Sequence, residues 1–99
     1  MLKVSLDSNA FIDKQIYKYI YKEQSICVLK YDSIFYAFDN KCPHKNAPLQ
    51  NAKVENCKIS CPWHGWTFEL ETGSLDINNN IKLKMYNVSI ENDHILIDV

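Results

Sequence analysis

The chain has 99 residues, 46% of them hydrophobic, which is enough for one folded domain and too few for a second catalytic module. Its 11 basic residues, all lysines, and its 12 acidic residues give a net charge of -1, which argues against a nucleic-acid-binding protein. No apolar run is long enough to span a bilayer, and the start of the chain lacks the apolar core of a signal peptide. We therefore expect a single domain over residues 1–99 in the cytoplasm, with no nucleic-acid or membrane partner.

Alternation with a period of two dominates the first forty residues and predicts strands. Between Ile16 and Lys22, three tyrosines alternate with isoleucine and lysine, as expected of a half-exposed strand. The runs from Ser25 to Tyr31 and from Ile34 to Phe38 are rich in β-forming residues and meet at the turn-forming pair Asp32-Ser33. These two runs predict a β-hairpin.

The C-terminal part of the chain repeats this pattern. Met85 to Ile90 and His94 to Val99 predict a second hairpin around the polar segment 91–93. Before it, the asparagine-rich segment from Asp76 to Asn80 predicts a surface loop within the proline-free stretch 74–84. No part of the chain keeps a helical period over three turns, so the fold class is all-β with antiparallel sheets.

Proline and glycine are concentrated between residues 43 and 73. Proline fixes φ and glycine permits positive φ, so this segment predicts irregular backbone between two β regions. We expect a base of antiparallel sheets from residues 1–39 and 74–99, with a smaller lobe, about residues 40–72, projecting from it.

Two motifs within this lobe carry metal-binding chemistry. The segments Cys42-Pro43-His44 and Cys61-Pro62-Trp63-His64 each place one cysteine and one histidine on a short loop. Two thiolates and two imidazoles can hold a two-iron cluster asymmetrically, and neutral imidazoles make the cluster easier to reduce than four thiolates would. The spacing therefore predicts a [2Fe-2S] cluster that carries single electrons. The four candidate ligands are Cys42, His44, Cys61 and His64, and no catalytic residue is predicted.

The motifs resemble those of the Rieske [2Fe-2S] family, and the likeness extends over most of the chain. The flanking segments Ala37 to Asn40, Ala47 to Leu49 and Phe68 to Gly73 look like those of small Rieske-type ferredoxins from ring-hydroxylating dioxygenase systems. The resemblance implies the Rieske fold, in which antiparallel sheets carry a small cluster-binding lobe.

The same resemblance implies ligand roles and a function. Cys42 and Cys61 would hold the inner iron, and His44 and His64 the outer iron. The chain would carry one electron from a flavin reductase to a terminal oxygenase and have no small-molecule substrate of its own. Only His94 remains outside the ligands, so the two-His-one-carboxylate iron site of an oxygenase cannot be built. The alternative is a Rieske-like small subunit of a larger reductase, such as assimilatory nitrite reductase.

Departures from the high-potential members of the family predict a low reduction potential. Those members add a disulfide beside the cluster, and the matching positions here are Ala47 and Trp63. They also place serine and tyrosine where this chain has Trp66 and Phe68, so fewer hydroxyl groups donate hydrogen bonds to cluster sulfur. We expect a midpoint at the lower end of the Rieske range, about -150 mV.

Two other uses of the cysteines compete with this interpretation. Zinc also forms tetrahedral sites with two cysteines and two histidines, but such sites usually open with Cys-x(2–4)-Cys rather than Cys-x-His. Two disulfides in a secreted protein are a weaker alternative, because no secretory signal is present. Cys27 and Cys57 lie outside the ligand motifs and are expected to be buried thiols.

The remaining aromatic and basic residues bear on partner docking. Trp66 is expected to be structural, and His94 is expected to be an exposed turn residue without a role. Two interpretations of Trp63 stay open: it anchors the core, or it rims an exposed apolar tip where a redox partner docks, with Lys41 and Lys45 nearby.

Overall fold

The computed structural model of the chain describes residues 3–42, 48–61, 66–75 and 78–98. Over these ranges the chain forms twelve β-strands and a single 3₁₀ turn at Ser8–Ala10. In chain order the strands are β1 (Lys3–Asp7), β2 (Ile16–Tyr21), β3 (Gln24–Tyr31), β4 (Ile34–Asp39), β5 (Lys53–Glu55), β6 (Lys58–Ser60), β7 (Thr67–Glu69), β8 (Ser74–Leu75), β9 (Asn78–Lys82), β10 (Met85–Tyr86), β11 (Val88–Glu91) and β12 (His94–Asp98). The predicted all-β class is confirmed, and these described ranges contain no helix long and apolar enough to cross a membrane.

The strands form three antiparallel sheets, with the orders β1-β12-β11, β10-β4-β3-β2 and β5-β6-β7-β8-β9. The predicted hairpin of β3 and β4 is confirmed, with Tyr31 opposite Ile34. The predicted C-terminal hairpin is confirmed for β11 and β12, with Glu91 opposite His94. The first two residues of that predicted run instead form β10 and pair with β4, because the chain passes from one sheet to another between β10 and β11.

The third sheet extends further along the chain than the predicted lobe. It begins at Lys53 and continues through β8 and β9 to Lys82, beyond the predicted limit near residue 72. The prediction of a surface loop over residues 76–80 is wrong for residues 78–80, which begin β9. Asparagine has a low β-propensity, so order here depends on pairing with β8, in which Leu75 is the partner of Asn78. The division of the chain into a base and a lobe stays a prediction.

Four hairpin turns consist of two residues that both have positive φ, between 47° and 68°. These turns are Lys22-Glu23, Asp32-Ser33, Asn56-Cys57 and Asn92-Asp93. Turns of this kind match the right-handed twist of paired strands, but positive φ is unfavourable for residues other than glycine. Strand pairing therefore imposes strain mainly at the turn residues other than asparagine and aspartate, which are Lys22, Glu23, Ser33 and Cys57.

Strand β3 is buried on both faces and separates two apolar cores. Its four central residues, from Ile26 to Leu29, are each no more than 2% exposed. Because alternate residues of a strand point to opposite faces, Cys27 and Leu29 enter one core. Ile26 and Val28 enter the other. The first, called the larger core below, also contains Phe38, Cys42, Leu49, Ile59, Cys61, Phe68, Leu70, Leu75 and Leu83. The second, called the smaller core, also contains Phe11, Ala37, Ile95 and Ile97.

Candidate metal centre

Cys42 begins the first candidate ligand loop, defined here as residues 42–48. It lies three residues beyond the end of β4, and its side chain is fully buried in the larger core. The backbone N–H of Asn40 donates to the carbonyl oxygen of Ser25 at 3.0 Å, which keeps the chain against β3 after β4 ends. The approach to the first loop is therefore fixed by β3 and β4 of the second sheet.

Cys61 begins the second candidate ligand loop, defined here as residues 61–66. It follows β6 directly, and its backbone N–H donates to the carbonyl oxygen of Trp66 at 2.7 Å. Just below, Ser60 lies opposite Thr67 in the β6–β7 pairing, and their hydroxyl oxygens are 3.2 Å apart. The second loop is thus the connection of a hairpin, closed by hydrogen bonds between neighbouring strands.

Both candidate cysteine ligands reach the larger core. Cys42 is 0% and Cys61 is 2% exposed, and none of the four cysteines, all of which lie in the described ranges, forms a disulfide. Burial alone does not identify a ligand, since Cys27 is equally buried and free cysteine often packs as a small hydrophobe. What distinguishes Cys42 and Cys61 is that each begins a loop with a histidine two or three residues later. This position makes them the candidate sulfur ligands of the predicted cluster.

The two candidate histidines, His44 and His64, lie outside the described residues, as do Trp63 and Lys45. The ligand assignment and the docking role of Trp63 therefore stay predictions. Within the part of the chain that the structure describes, no group of three or more Cys, His, Asp or Glu side chains is gathered as a metal site. This is expected, because that part contains two of the four candidate ligands.

Asn40, for which the sequence predicts no role, connects the two ends of the first loop. Its side chain is 8% exposed, and its Oδ1 accepts the backbone N–H groups of Leu49 at 2.7 Å and Gln50 at 2.9 Å. Its Nδ2 donates to Ser25 Oγ at 3.0 Å and to Gln50 Oε1 at 3.1 Å. Asparagine commonly bonds to nearby backbone in turns, but no local pattern marks partners nine or ten residues away.

The two cysteines outside the motifs have different surroundings. Cys27 donates its thiol hydrogen to Asn40 Oδ1 at 3.2 Å, and burial, with a smaller contribution from Asp39, raises the pKa of Cys27 to about 12. It is a buried neutral thiol, as predicted. The prediction of burial is wrong for Cys57, which is only half-buried because it occupies a two-residue turn. Its Sγ lies 3.8 Å from the hydroxyl of Tyr36.

Two aromatic residues, Trp66 at the end of the second loop and Phe68 in β7, are apolar packing elements. Trp66 is half-buried against the larger core, as predicted, with its ring centroid 6.4 Å from that of Phe68. Phe68 is 0% exposed. His94 is exposed, as predicted, but it is the first residue of β12 and not a turn residue. Its Nδ1 lies 2.9 Å from the carbonyl oxygen of Asn92.

An open cavity of about 530 Å³ shares Gln50 with the Asn40 hydrogen bonds. The rest of its lining comes from residues 13–16, 51–52 and 54, and includes neither cysteine nor histidine. The cavity therefore adds no ligand to the candidate metal centre.

Sequence comparisons connect the chain with iron-sulfur proteins. A family model of the Rieske [2Fe-2S] domain matches residues 4–87. The 3-phenylpropionate/cinnamic acid dioxygenase ferredoxin subunit of Photorhabdus laumondii is 36% identical over 76 residues, which cover 75% of this chain and 72% of that protein. Apoptosis-inducing factor 3 of Mus musculus is 34% identical over 73 residues, which cover 73% of this chain and 12% of that protein. The chain thus spans most of the first relative and a small part of the second.

A solved structure shares the fold. The ferredoxin of carbazole 1,9a-dioxygenase from Nocardioides aromaticivorans IC177 superimposes with a TM-score of 0.87, covering 98% of this chain and 97% of that protein. At 20% identity this likeness concerns the fold alone, and it confirms the predicted arrangement of antiparallel sheets.

Proposed function

The chain belongs to the Rieske [2Fe-2S] family, and we propose that it is a ferredoxin that carries one electron from a flavin reductase to a terminal oxygenase. The observation that carries this proposal is the burial of Cys42 and Cys61 in one apolar core, neither in a disulfide, each at the start of a Cys/His loop. The family's cofactor is a [2Fe-2S] cluster, which decides against zinc.

The described residues fit this cofactor. Cys42 and Cys61 supply two thiols, and the proposed set is completed by the imidazoles of His44 and His64. A bound cluster of this type stores one electron and releases it to a partner. The contribution of the chain is to hold the two sulfur ligands in a packed core that excludes water, since both are no more than 2% exposed.

The absence of a catalytic site is part of the proposal. Outside the proposed ligands the sequence contains one histidine, His94, which is exposed at the start of β12. A mononuclear oxygenase site needs two histidines and a carboxylate on one iron. The composition therefore supports an electron-transfer component rather than an enzyme with its own substrate.

The redox partners are proposed from the relatives. The Photorhabdus laumondii protein is by name the ferredoxin subunit of a dioxygenase, which supports an oxygenase as the electron acceptor. A flavin reductase as donor and a cytoplasmic location belong to the same proposal.

The alternative is a Rieske-like small subunit of a larger reductase. It is supported by the match to 12% of apoptosis-inducing factor 3, because a related segment there forms part of a much longer protein. Stable association with a large flavin or sirohaem protein would favour this alternative, whereas rapid exchange between a reductase and an oxygenase would favour the free ferredoxin.

The deciding experiment is analysis of anaerobically purified, iron-replete protein, followed by reduction with dithionite. We expect equal amounts of iron and acid-labile sulfide, reddish-brown absorbance and an electron paramagnetic resonance signal that appears on reduction. The reduced protein should then be reoxidised rapidly on mixing with a Rieske-type terminal oxygenase. Colourless, zinc-loaded protein without sulfide would overturn the proposal.

A further inference from the structure

We propose that Asn40 is a positioning residue for Cys42, because its side chain closes the first loop and thereby fixes the backbone that presents this cysteine. The inference rests on the proposed function and ligand set. It concerns a side chain that is two residues away from the proposed ligand and reaches both ends of the loop.

Asn40 is itself held in place by β3. Its backbone N–H donates to the carbonyl oxygen of Ser25 and its Nδ2 donates to the Ser25 hydroxyl, both at 3.0 Å. Its Oδ1 also accepts from the thiol of Cys27 at 3.2 Å. Three hydrogen bonds to β3 thus fix both the backbone and the side chain of this residue.

The fixed side chain of Asn40 binds the backbone at the C-terminal end of the first loop. The N–H groups of Leu49 and Gln50 lie 2.7 and 2.9 Å from Oδ1, and the Gln50 side chain accepts from Nδ2 at 3.1 Å. Leu49 is 0% exposed, so its N–H would be left without an acceptor in an apolar core if Oδ1 were removed. One buried amide therefore joins the two ends of the first loop.

Strand pairing cannot replace Asn40 in closing the first loop. In the second loop, the Cys61 N–H to Trp66 carbonyl bond continues the β6–β7 hairpin. Leu49 and Gln50 belong to no strand, and the next strand, β5, begins at Lys53. Removing the Asn40 side chain should therefore loosen the segment around Cys42 while the second loop keeps its closure.

The test compares variants of the cluster-loaded protein. Asn40→Ala removes every side-chain bond, and we expect cluster loss in the presence of a chelator, followed by visible absorbance, to be roughly tenfold faster, which corresponds to about 1.4 kcal/mol. We also expect the electron paramagnetic resonance signal of the reduced cluster to be broadened, because Cys42 would be held in several positions. A merely structural role would not broaden this signal in the protein that still holds the cluster.

Asn40→Asp supplies the conservative rescue. A carboxylate oxygen can still accept the N–H groups of Leu49 and Gln50, so the rate of cluster loss should stay within about twofold of that of the unaltered protein. The added negative charge disfavours the reduced cluster, so the midpoint potential should fall. Ser25→Ala removes one acceptor of Asn40 Nδ2 but leaves the hydrogen bonds that join Asn40 to Leu49 and Gln50. This variant should therefore retain its cluster as well as the unaltered protein does.

Ile97→Ala is the control for global destabilisation, since Ile97 is 1% exposed in the smaller core and is not part of the Asn40 network. The proposal is overturned if this variant loses its cluster as fast as Asn40→Ala, or if Asn40→Asp is no better than Asn40→Ala. If Asn40→Ala does not fold, hydrogen exchange of the unaltered protein decides. Slow exchange of the Leu49 and Gln50 amides supports the closure, and exchange as fast as in an unfolded peptide overturns it. Absence of a cluster from the unaltered protein would instead contradict the proposed function.

Discussion

The two candidate ligand loops are closed in different ways. The second loop connects β6 and β7, and a backbone hydrogen bond from Cys61 to Trp66 seals its base. The first loop follows β4, and residues 49–52 after it belong to no strand, so the side chain of Asn40 joins its ends. Backbone closure survives almost any side-chain substitution, whereas closure by a side chain depends on one residue. The first loop is therefore the more vulnerable half of the site.

The largest expected effect is loss of the proposed ligands. Cys42→Ser and Cys61→Ser each remove one thiolate, so we expect both variants to lack the absorbance of the cluster when purified anaerobically. Cys57→Ser is the matched control, since Cys57 is a half-buried turn residue outside the motifs, and it should keep the cluster. A normal cluster in either ligand variant would contradict the assignment.

The reduction potential tests the effect of two apolar residues, Trp66 at the end of the second loop and Phe68 in β7. With Trp66 and the fully buried Phe68 in place of hydroxyl-bearing residues, we expect a midpoint of about -150 mV by potentiometric titration. Phe68→Tyr should raise this value, because a hydroxyl group can donate to cluster sulfur. A clearly positive midpoint in the unaltered protein would refute the prediction.

Core packing at the end of the first loop should affect stability and cluster retention together. Leu49→Ala removes a fully buried side chain and should cost about 3 kcal/mol, lowering the thermal midpoint by roughly 10 to 20 °C at a fixed scan rate. Ile95→Ala, at a fully buried position in the smaller core, should be similarly destabilising. Only Leu49→Ala should also accelerate cluster loss at temperatures below the melting range. If Ile95→Ala accelerates cluster loss equally, the larger core has no special role in retaining the cluster.

The buried thiol beside Asn40 predicts a dependence of stability on alkaline pH. In the unfolded chain Cys27 ionises near its ordinary pKa of 9.0, whereas in the folded protein burial keeps it neutral up to about 12. Its contribution to stability is therefore complete below pH 9 and decreases as the pH rises toward 12. Between pH 9 and pH 10 we expect a loss of about 1 kcal/mol from this group.

Cys27→Ala should flatten that dependence in thermal unfolding scans. Tyr36, whose pKa is also raised to about 12, mainly by burial, should leave a residual slope of the same sign. An unchanged slope in the variant would show that Cys27 does not contribute.

The smallest expected effect is at the base of the second loop. Ser60→Ala removes the hydroxyl contact with Thr67 but leaves the bond between the Cys61 N–H and the Trp66 carbonyl. We expect a loss of at most about 1 kcal/mol and unchanged cluster retention, measured as for Leu49→Ala. Rapid cluster loss would show that side chains close this loop as well.

Features that depend on local alternation could be predicted from the sequence. The β3–β4 and β11–β12 hairpins follow from period-two patterning around Asp32-Ser33 and Asn92-Asp93. The order of β9 could not be predicted, because Asn78 to Asn80 are poor strand formers that become ordered by pairing with β8.

In the candidate site, too, features encoded locally could be predicted, and features that depend on distant partners could not. The motifs predict Cys42 and Cys61 as ligands because spacing within a short loop is visible in the sequence, and the structure places both in one core. The role of Asn40 could not be predicted, because its partners lie on β3 and beyond the first loop. Closure of the second loop follows the antiparallel register of β6 and β7, in which the buried Ile59 lies opposite the buried Phe68.

The hairpin turns contain positions at which substitutions can stabilise the protein. Positive φ costs about 1–2 kcal/mol at residues other than glycine, asparagine and aspartate, and three such turn residues, Lys22, Glu23 and Ser33, are exposed. Replacement by glycine or asparagine at such positions can raise thermal tolerance without touching the interior. Substitutions around the candidate ligand loops that cost stability can therefore be compensated at the hairpin turns.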